Sequence, residues 1–497
     1  MIYGMMLDAG RVIERHEFYF KLIPHLARWG YNTLFWHFSD NEQCALRFDS
    51  EPELGSRHAL SVAETKKLVR HAKKYNINVI PELESLGHTK YITDVPKFRD
   101  LAELIFSHHH ATLCSEHPGT LALMQKLLGE TMDIFDSEYI HAGLDEAIFD
   151  SACQRCSPKR AFDGVEGLVA DYIRKIHAVL AARDRKMMIW ADMILKRKKI
   201  LDMIPKDIVL CNWVYGGELD VKEIRSMTDK GFKVINCPSI TPAVMQDGLR
   251  LDNVRNHIET SRKFPKNEVI GVMNTSWEGW RYLQGAIIPG MAVAGKILAT
   301  GGNEPADFIF DFTREYFGCV SAKSVQAVGS ALQAAFAKEF GYSDLNALCP
   351  ACELDFRCLN PKNMAKYKRN VKLYRKILAV LKKEEKNVVA NKRHYKDIVV
   401  SVETILRLSA FAPFIRELTG NLKSGKAANP KKIKAFTGTC RTLYEKCVES
   451  WNATRYPDDP RRDQAQDKYQ YNESLIYHLR AAGEFVGKMK SKANIQS

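Results

Sequence analysis

Short apolar runs alternate with longer amphipathic stretches from Met1 to about Thr300. The apolar runs have the length of buried strands. We count eight of them: Tyr3–Asp8, Asn32–Phe38, Asn78–Glu84, Glu138–Gly143, Met187–Met193, Ile208–Trp213, Lys233–Pro238 and Val269–Trp277. The intervening stretches carry apolar residues at helical spacing, as in Phe18–Trp29, Val62–Tyr75, Leu121–Phe135, Leu168–Arg183, Val221–Lys230 and Val254–Phe264. This alternation predicts an α/β fold, a (β/α)8 TIM barrel.

A doubly wound open sheet is the alternative architecture, but it normally has a glycine-rich phosphate loop after its first strand. The corresponding turn here reads Asp8-Ala-Gly-Arg11, without such a loop. After Thr300 the pattern becomes helical, in the segments Pro305–Phe317, Ala322–Phe340, Met364–Lys386, Ile398–Leu408, Lys431–Trp451 and Glu473–Lys490. We therefore predict a catalytic barrel over residues 1–300 and an α-helical C-terminal extension over residues 301–497.

Functional side chains collect where the predicted strands end, and a TIM barrel places its active site at that face. These strand-end residues are Asp8, Arg11, His37, Asp40, Glu82, Glu84, His88, His141, Asp145, Glu146, Trp190, Asp192, Trp213, Tyr215, Trp277 and Glu278. Taken singly, a tryptophan could be core packing, an arginine could serve a salt bridge and a histidine could be buried and satisfied. Together, aromatic faces and charged groups around one opening indicate a sugar pocket.

Asp145 and Glu146 stand side by side at the end of the fourth predicted strand. Adjacent carboxylates repel each other, so one of them can keep a proton at neutral pH, as a general acid requires. A solvated pair that opens a helix is the other interpretation, because acids favour helix N-termini. The convergence of the other strand ends on the same face favours the catalytic interpretation.

Two of the cysteine pairs have the spacing of zinc ligands, Cys153-Gln-Arg-Cys156 and Cys349-Pro-Ala-Cys352. Together they could supply four thiolates to a structural zinc, although short-range cysteine pairs also arise by chance. The other cysteines are scattered, and several stand in apolar runs, which is typical of buried thiols rather than of a disulfide framework.

The bulk composition, with 45% hydrophobic and 27% charged residues, is that of a soluble globular protein. No apolar run approaches the length needed to cross a bilayer, so we expect no membrane association. The formal charge of +14 comes with lysines on helical segments and without a nucleic-acid motif, so we expect solvated helix faces and no nucleic-acid partner. Without an export signal at Met1 we expect a cytoplasmic protein, or a secreted one if a leader was removed.

The strand ends resemble glycoside hydrolase family 20, the β-N-acetylhexosaminidases, whose fourth strand carries His-x-Gly-x-Asp-Glu. Here the pattern stands as His141-Ala-Gly-Leu-Asp145-Glu146. The resemblance extends in order through five further segments: Met6–Arg11, Trp36–Asp40, Ile80–His88, Ile189–Asp192 and Gly271–Trp277. Among the branches of the family, the chain looks most like the hexosaminidase D type, which lacks a small domain before the barrel.

The resemblance implies an exo-acting, retaining β-N-acetylhexosaminidase that uses the 2-acetamido group of its substrate as the nucleophile, without a cofactor or catalytic metal. It implies that Glu146 is the general acid and base and that Asp145 orients the acetamido group. By the same resemblance, Arg11 binds sugar hydroxyls, Asp40 and His141 orient the carboxylates, and His88 lies near the leaving group. The expected pocket walls and remaining contacts are Trp190, Asp192, Trp213, Tyr215, Trp277 and Glu278.

Two positions depart from the family pattern. No tyrosine follows the seventh strand to bind the acetamido oxygen, which leaves this role to Tyr215 or another group. Glu278 follows Trp277 directly, one position earlier than the family's glutamate, which leaves open the choice between gluco and galacto sugars. A barrel glycosidase of another specificity, and a non-catalytic sugar-binding or scaffold barrel whose basic helices contact a partner, remain the alternative functions. The helical region is also the candidate surface for a homo-oligomer.

Overall fold

Eight parallel strands form a closed barrel in which each strand pairs with its neighbours in sequence and β1 also pairs with β8. The barrel strands are β1 (Ile2–Asp8), β2 (Thr33–His37), β3 (Asn78–Glu82), β4 (Tyr139–His141), β5 (Lys186–Trp190), β6 (Val209–Trp213), β7 (Lys233–Cys237) and β8 (Val269–Asn274). A separate parallel ladder joins Leu46–Arg47 to Leu60–Ser61. The barrel confirms the fold predicted from the alternating apolar runs.

The structure is a computed structural model that describes residues 1–103, 112–149, 153–241, 244, 248–303, 305–336, 340–350, 359–424, 426–456 and 474–492. The helices of the barrel region are α1 (His16–Trp29), α2 (Val62–Lys73), α3 (Lys90–Thr93), α4 (Pro118–Ile134), α5 (Ser157–Ala181), α6 (Asp192–Lys196), α7 (Val221–Thr228), α8 (Gly248–Ser261) and α9 (Gln284–Thr300). The later helices are α10 (Phe308–Phe317), α11 (Ala322–Phe336), α12 (Tyr342–Leu348), α13 (Pro361–Glu384), α14 (Lys392–Lys423), α15 (Pro430–Thr454) and α16 (Leu475–Lys492).

Side-chain alternation along the strands divides the buried residues into two cores. Met6 points into the barrel, where it packs in a cluster with Phe35 and Trp190, whereas its neighbours Met5 and Leu7 belong to the layer between strands and helices. This is the period-two pattern expected of a strand that is buried on both faces. The interior cluster extends to Trp213 and Trp277 at the carboxyl ends of the strands, so the packed lumen forms the floor of the candidate site.

The C-terminal helices are joined to the barrel through Arg455, which ends α15 and is 1% exposed. Its Nε atom donates to both carboxylate oxygens of Glu14, at 3.0 and 2.9 Å. Its Nη1 atom donates to the carbonyl oxygens of Gly279 and Tyr282, at 2.7 and 2.6 Å. The loops after β1 and β8 are therefore tied to the same helix end.

Several element boundaries differ from those predicted. Helix α5 begins at Ser157 rather than near Leu168. It has a kink at Gly164, where the backbone is non-helical at a φ of 71°, and the chain continues as a helix after it. Helix α14 continues past Leu408 and through Pro413. The central part of that helix is long and apolar enough to span a membrane, but 72% of its most apolar window is buried within the fold. The expectation that no apolar run approaches the length needed to cross a bilayer was therefore wrong for this helix. Its burial is that of a core helix.

The regular elements described after residue 300 are helices, and α14 packs on the barrel helix α9. Residues 337–339 and Glu473, which belong to predicted helices, lie outside the described residues. The division into domains at residue 300 stays a prediction.

Candidate active site

Asp145 and Glu146 lie on a turn whose backbone is held in an uncommon conformation. After β4 the chain passes through Gly143 at a φ of 67°, Leu144 at 78° and Glu146 at 48°. Left-handed backbone costs free energy for residues other than glycine, and it concentrates at functional sites where the surrounding structure holds it. The turn changes the direction of the chain so that adjacent carboxylates reach different surroundings.

Two glycines allow the loop after β3 to approach this turn. A Cβ atom on Gly87 would lie 2.0 Å from the carbonyl oxygen of Asp145. A Cβ atom on Gly143 would lie 2.0 Å from Oε2 of Glu84. Neither contact is possible for a real side chain, so the close approach of the two loops requires glycine at both positions.

His88 connects the acidic pair to the loop after β2. Its Nδ1 atom lies 3.0 Å from Oδ1 of Asp40, and its Nε2 atom lies 3.3 Å from Oε2 of Glu146 and 3.6 Å from Oδ2 of Asp145. Burial alone lowers the pKa of His88, but the carboxylates of Asp40 and Asp145 outweigh it and hold the pKa well above the usual value. A positively charged imidazole therefore faces both predicted catalytic carboxylates.

The two adjacent acids differ in exposure and in their contacts. The side chain of Asp145 is 13% exposed, whereas that of Glu146 is 41% exposed. Burial, followed by the charges of Asp192 and Glu146, raises the pKa of Asp145 to about 6, while His88 opposes the shift. The Oδ1 atom of Asp145 is buried and accepts no hydrogen bond from the described residues. The expected raised pKa of the pair thus belongs to its more buried member.

Asp192 fixes the backbone of the turn from the other side. Its Oδ2 atom accepts a hydrogen bond from the amide of Glu146 at 3.3 Å and lies 3.3 Å from Nζ of Lys196. Helix α6 begins at Asp192, so the first turn after β5 supplies this support.

Arg11 is surrounded by acidic side chains from the loops after β1 and β2. Its guanidinium lies 3.2 Å from Oδ2 of Asp8, 2.9 Å from Oδ2 of Asp40 and 3.6 Å from Oε2 of Glu42. The same guanidinium lies 5.2 Å from the ring centroid of Trp277. Burial raises the pKa of Asp40, but Arg11 and then His88 outweigh it and hold that pKa well below the usual value.

A second group of contacts supports the floor of the site. His141 lies with Nδ1 3.4 Å from Oε1 of Glu82 and its ring 4.5 Å from that of Trp190. The indole of Trp190 donates to Glu82 at 2.6 Å, and Nδ1 of His37 lies 3.2 Å from the same carboxylate. His37, His141 and Trp190 are therefore held by one buried glutamate, Glu82.

Aromatic residues from β6 and β8 form one wall of the site. The rings of Trp213 and Tyr215 are stacked 5.0 Å apart. The indole of Trp277 donates to the hydroxyl of Tyr215 at 2.6 Å, and its ring centroid lies 5.8 Å from that of Trp190. The backbone amide of Glu278 donates to Asp8 at 2.8 Å, which brings the end of β8 to that of β1. All twelve residues predicted for catalysis and substrate binding are therefore linked by contacts into one cluster.

Glu42 was not predicted as part of the site. Burial, and after it the charge of Asp40, raises the pKa of Glu42 to about 8, and neither carboxylate oxygen accepts a hydrogen bond from the described residues. Its position two residues after Asp40 was the available signal, but no spacing rule distinguishes it from a solvated loop acid.

The predicted zinc set requires a correction. The structure groups Cys153 and Cys156 with Cys114 and Glu103 rather than with Cys349. The thiol of Cys349 is buried among the C-terminal helices, where it donates to the carbonyl oxygen of His478 at 3.2 Å. Cys352 lies outside the described residues. Spacing alone cannot identify partners that come from distant loops.

Comparison with known families gives one match that covers the whole barrel. The model of the family described as glycosyl hydrolase family 20, catalytic domain, matches residues 3–282. This range begins in β1 and ends just after the turn that follows β8, so it includes every strand end described above.

Individual proteins are similar at low identity. A probable beta-hexosaminidase of Arthroderma benhamiae is 25% identical over 260 residues, which cover 47% of this chain and 41% of that protein. A beta-hexosaminidase of Vibrio furnissii is 24% identical over 269 residues, which cover 47% of this chain and 42% of that protein. The chain thus aligns with about two fifths of the length of these relatives. The crystal structure of Flavobacterium johnsoniae chitobiase has the same fold, with a TM-score of 0.53 and 16% identity over 98% of this chain and 78% of that one.

Proposed function

The chain belongs to glycosyl hydrolase family 20, and from this premise we propose that it is an exo-acting, retaining β-N-acetylhexosaminidase. It would release terminal N-acetylglucosamine or N-acetylgalactosamine, with the 2-acetamido carbonyl oxygen of the substrate as the nucleophile.

The observation that carries this proposal is the unsatisfied Oδ1 atom of Asp145. A buried carboxylate oxygen without a hydrogen-bond donor is costly unless a ligand supplies one. The N–H group of a substrate acetamido group is such a donor. When it binds Asp145, the acetamido carbonyl turns toward the anomeric carbon, and the carboxylate stabilises the positive charge of the oxazolinium that forms.

Glu146 is suited to the proton transfers, because its side chain is the more exposed of the two, so that a leaving oxygen and a water molecule can reach it. It would donate a proton to the leaving oxygen and later remove one from the water that opens the oxazolinium. No attacking carboxylate from the protein is needed, so the two acids can be neighbours in sequence. A retaining enzyme with a protein nucleophile would need carboxyl groups about 5 Å apart on opposite sides of the bond.

The aromatic wall suits the acetamido methyl group and the apolar face of the sugar ring. Within this wall the hydroxyl of Tyr215, which already accepts from Trp277 at 2.6 Å, would donate to the acetamido carbonyl oxygen. Arg11 would bind hydroxyls of the same sugar, with Glu278 at the rim near the guanidinium.

Substrates that differ only in the 2-substituent test the proposal. We expect hydrolysis of aryl N-acetyl-β-glucosaminide or galactosaminide, slower turnover of the trifluoroacetamido analogue because its carbonyl oxygen is a weaker nucleophile, and no turnover of the des-acetamido glycoside. An oxazoline-mimicking thiazoline should inhibit, and Asp145→Asn should weaken that inhibition. Equal cleavage of the des-acetamido glycoside would instead support a glycosidase of another mechanism. Binding of the sugar without hydrolysis would support a non-catalytic barrel.

A further inference from the structure

Four metal-ligating side chains that the proposed reaction does not use come together beside the strand-four loop. They are Glu103, Cys114, Cys153 and Cys156, and their ligand atoms all lie within 4.8 Å of one another. The Sγ atom of Cys114 lies 3.3 Å from that of Cys153 and 3.5 Å from that of Cys156. The Oε2 atom of Glu103 lies 2.9 Å from Sγ of Cys156.

The buried carboxylate of Glu103 has no cationic partner in the part of the chain that the structure describes. Glu103 is 2% exposed, and no lysine, arginine or histidine of the described ranges forms an ion pair with it. Among the described residues, it accepts hydrogen bonds from the amide of Cys153 at 2.8 Å and from the thiol of Cys156. Burial of an unpaired carboxylate beside three thiols is expensive, whereas direct coordination to a divalent cation would compensate the carboxylate for its lost hydration.

We infer that Glu103, Cys114, Cys153 and Cys156 form a structural zinc site. Three thiolates and one carboxylate complete a tetrahedral shell, and soft sulfur ligands favour zinc over calcium or magnesium. A zinc–sulfur bond of about 2.3 Å implies sulfur atoms about 3.8 Å apart, so the observed separations need to widen by only a few tenths of an ångström. Binding would release the three thiol protons to solvent.

The backbone around the cluster suits thiolate ligands. The amide of Cys156 points at Sγ of Cys153 at 3.4 Å. This contact adds to the four-ligand geometry and does not replace it.

The proposed site would tie the loop after β3 to the loop after β4. Besides the cluster, the amide of Ile148 donates to Oγ1 of Thr112 at 2.9 Å, so the two segments already lie together. Asp145 and Glu146 stand on one of these loops and His88 on the other. A bound zinc would limit the movement of these two loops relative to each other and would take no part in the reaction.

Metal analysis of the full chain tests the inference independently of any enzymatic activity. After purification under reducing conditions without chelator, we expect about one zinc per chain by plasma mass spectrometry. Cys114→Ser and Cys156→Ser should abolish stoichiometric zinc, whereas Cys447→Ser, which removes a buried thiol from α15, should retain it. Glu103→Gln should bind zinc more weakly in a competition with chelator.

Cobalt substitution of the unaltered chain decides the question if the cysteine variants do not fold. A cobalt-loaded protein should show thiolate-to-metal charge-transfer absorption, and the zinc absorption edge should fit three sulfur neighbours and one oxygen neighbour. A folded chain that remains metal-free after exposure to zinc would overturn the inference. So would a disulfide between any two of these cysteines in the freshly purified protein, or zinc that persists in Cys156→Ser.

Discussion

The Nε2 atom of His88 lies 3.3 Å from the Oε2 atom of Glu146, although the two residues follow different strands of the barrel. The other ring nitrogen lies 3.0 Å from Asp40, so the imidazole is held at both ends. The orientation of Glu146 therefore depends on a chain of contacts that begins in the loop after β2. We therefore propose a positioning role for Asp40.

Asp40→Asn should slow the reaction and change its pH dependence. The charge of Asp40 raises the pKa of His88, so its loss should lower that pKa and move the basic limb of the kcat/KM profile to lower pH. We expect a fall in kcat/KM of roughly 10- to 100-fold, as for other groups that orient a reacting residue. Asp136→Asn, at an exposed pair with Lys73, is the control. An unchanged basic limb would show that Asp40 does not act through His88.

Local sequence was sufficient to predict the barrel and most of the candidate site, because strand alternation and strand-end motifs are encoded within a few residues. His88, Asp145 and Asp192 could be identified in this way. The contacts between loops could not, since Arg455 reaches Glu14 across most of the chain and Glu103 reaches Cys156 across 53 positions. Such pairs depend on how the elements pack, which no local periodicity records.

Helix boundaries illustrate the same limit. Glycine and proline usually interrupt helices, and the predicted segments began after Gly164 and stopped before Pro413. Helix α14 continues through Pro413, where tertiary packing outweighs the local preference, whereas Gly164 does interrupt α5 with a non-helical backbone. Helix α9 is not among the segments named from amphipathic spacing. It is apolar on nearly every face, and such a helix has no amphipathic pattern to detect.

Asp145→Asn should increase the stability of the folded protein at neutral pH. Burial raises the pKa of Asp145 from 3.8 to about 6, so the charged carboxylate opposes folding at pH values above about 6. The variant should gain of the order of 2 kcal/mol in unfolding free energy at pH 7.5. The gain should shrink as the pH falls below about 6 and vanish below about 4, where the wild-type carboxyl is protonated in both states. Urea denaturation at several pH values measures this.

Asp171→Asn provides a control of opposite sign. Burial raises the pKa of Asp171, but Lys159 and Lys175 outweigh it and lower the pKa to about 2. Its charged form therefore favours folding, so the variant should lose stability at pH 7.5, and this loss should fade between about pH 4 and pH 2. Parallel behaviour of the two variants would contradict the assigned directions.

Gly87→Ala should disturb the acidic pair without touching its side chains. The new methyl group would meet the carbonyl oxygen of Asp145, so the turn after β4 must move. Displacement of a catalytic group by about 1 Å can cost roughly 10²-fold in rate, and we expect a fall of that order in kcat. Gly129→Ala, in α4 with open space around the added atom, should leave kcat unchanged and stabilise the helix by about 0.5–1 kcal/mol. Equal kcat values for the two variants would contradict the steric argument.

Arg455→Met should weaken the contact between the barrel and the C-terminal helices. The substitution removes the charged partner of Glu14 and the donor to the carbonyl oxygens of Gly279 and Tyr282. Glu14 keeps the Gln284 side chain as a donor. Loss of one partner from a buried pair costs about 3 kcal/mol or more. Arg314→Met, at an exposed pair with Asp311, should cost less than about 1 kcal/mol. Similar unfolding free energies for the two variants would show that Arg455 contributes little to stability.

The most direct test of the proposed function compares Glu146→Gln with the wild type on aryl N-acetyl-β-glucosaminides of different leaving groups. With phenol as the leaving group, protonation by Glu146 is essential, and kcat/KM should fall by roughly 10²- to 10⁴-fold. With dinitrophenol, which leaves without a proton, the first step should be much less affected. Near-normal hydrolysis of the phenyl glycoside by a folded Glu146→Gln protein would contradict the assignment of Glu146 as the general acid.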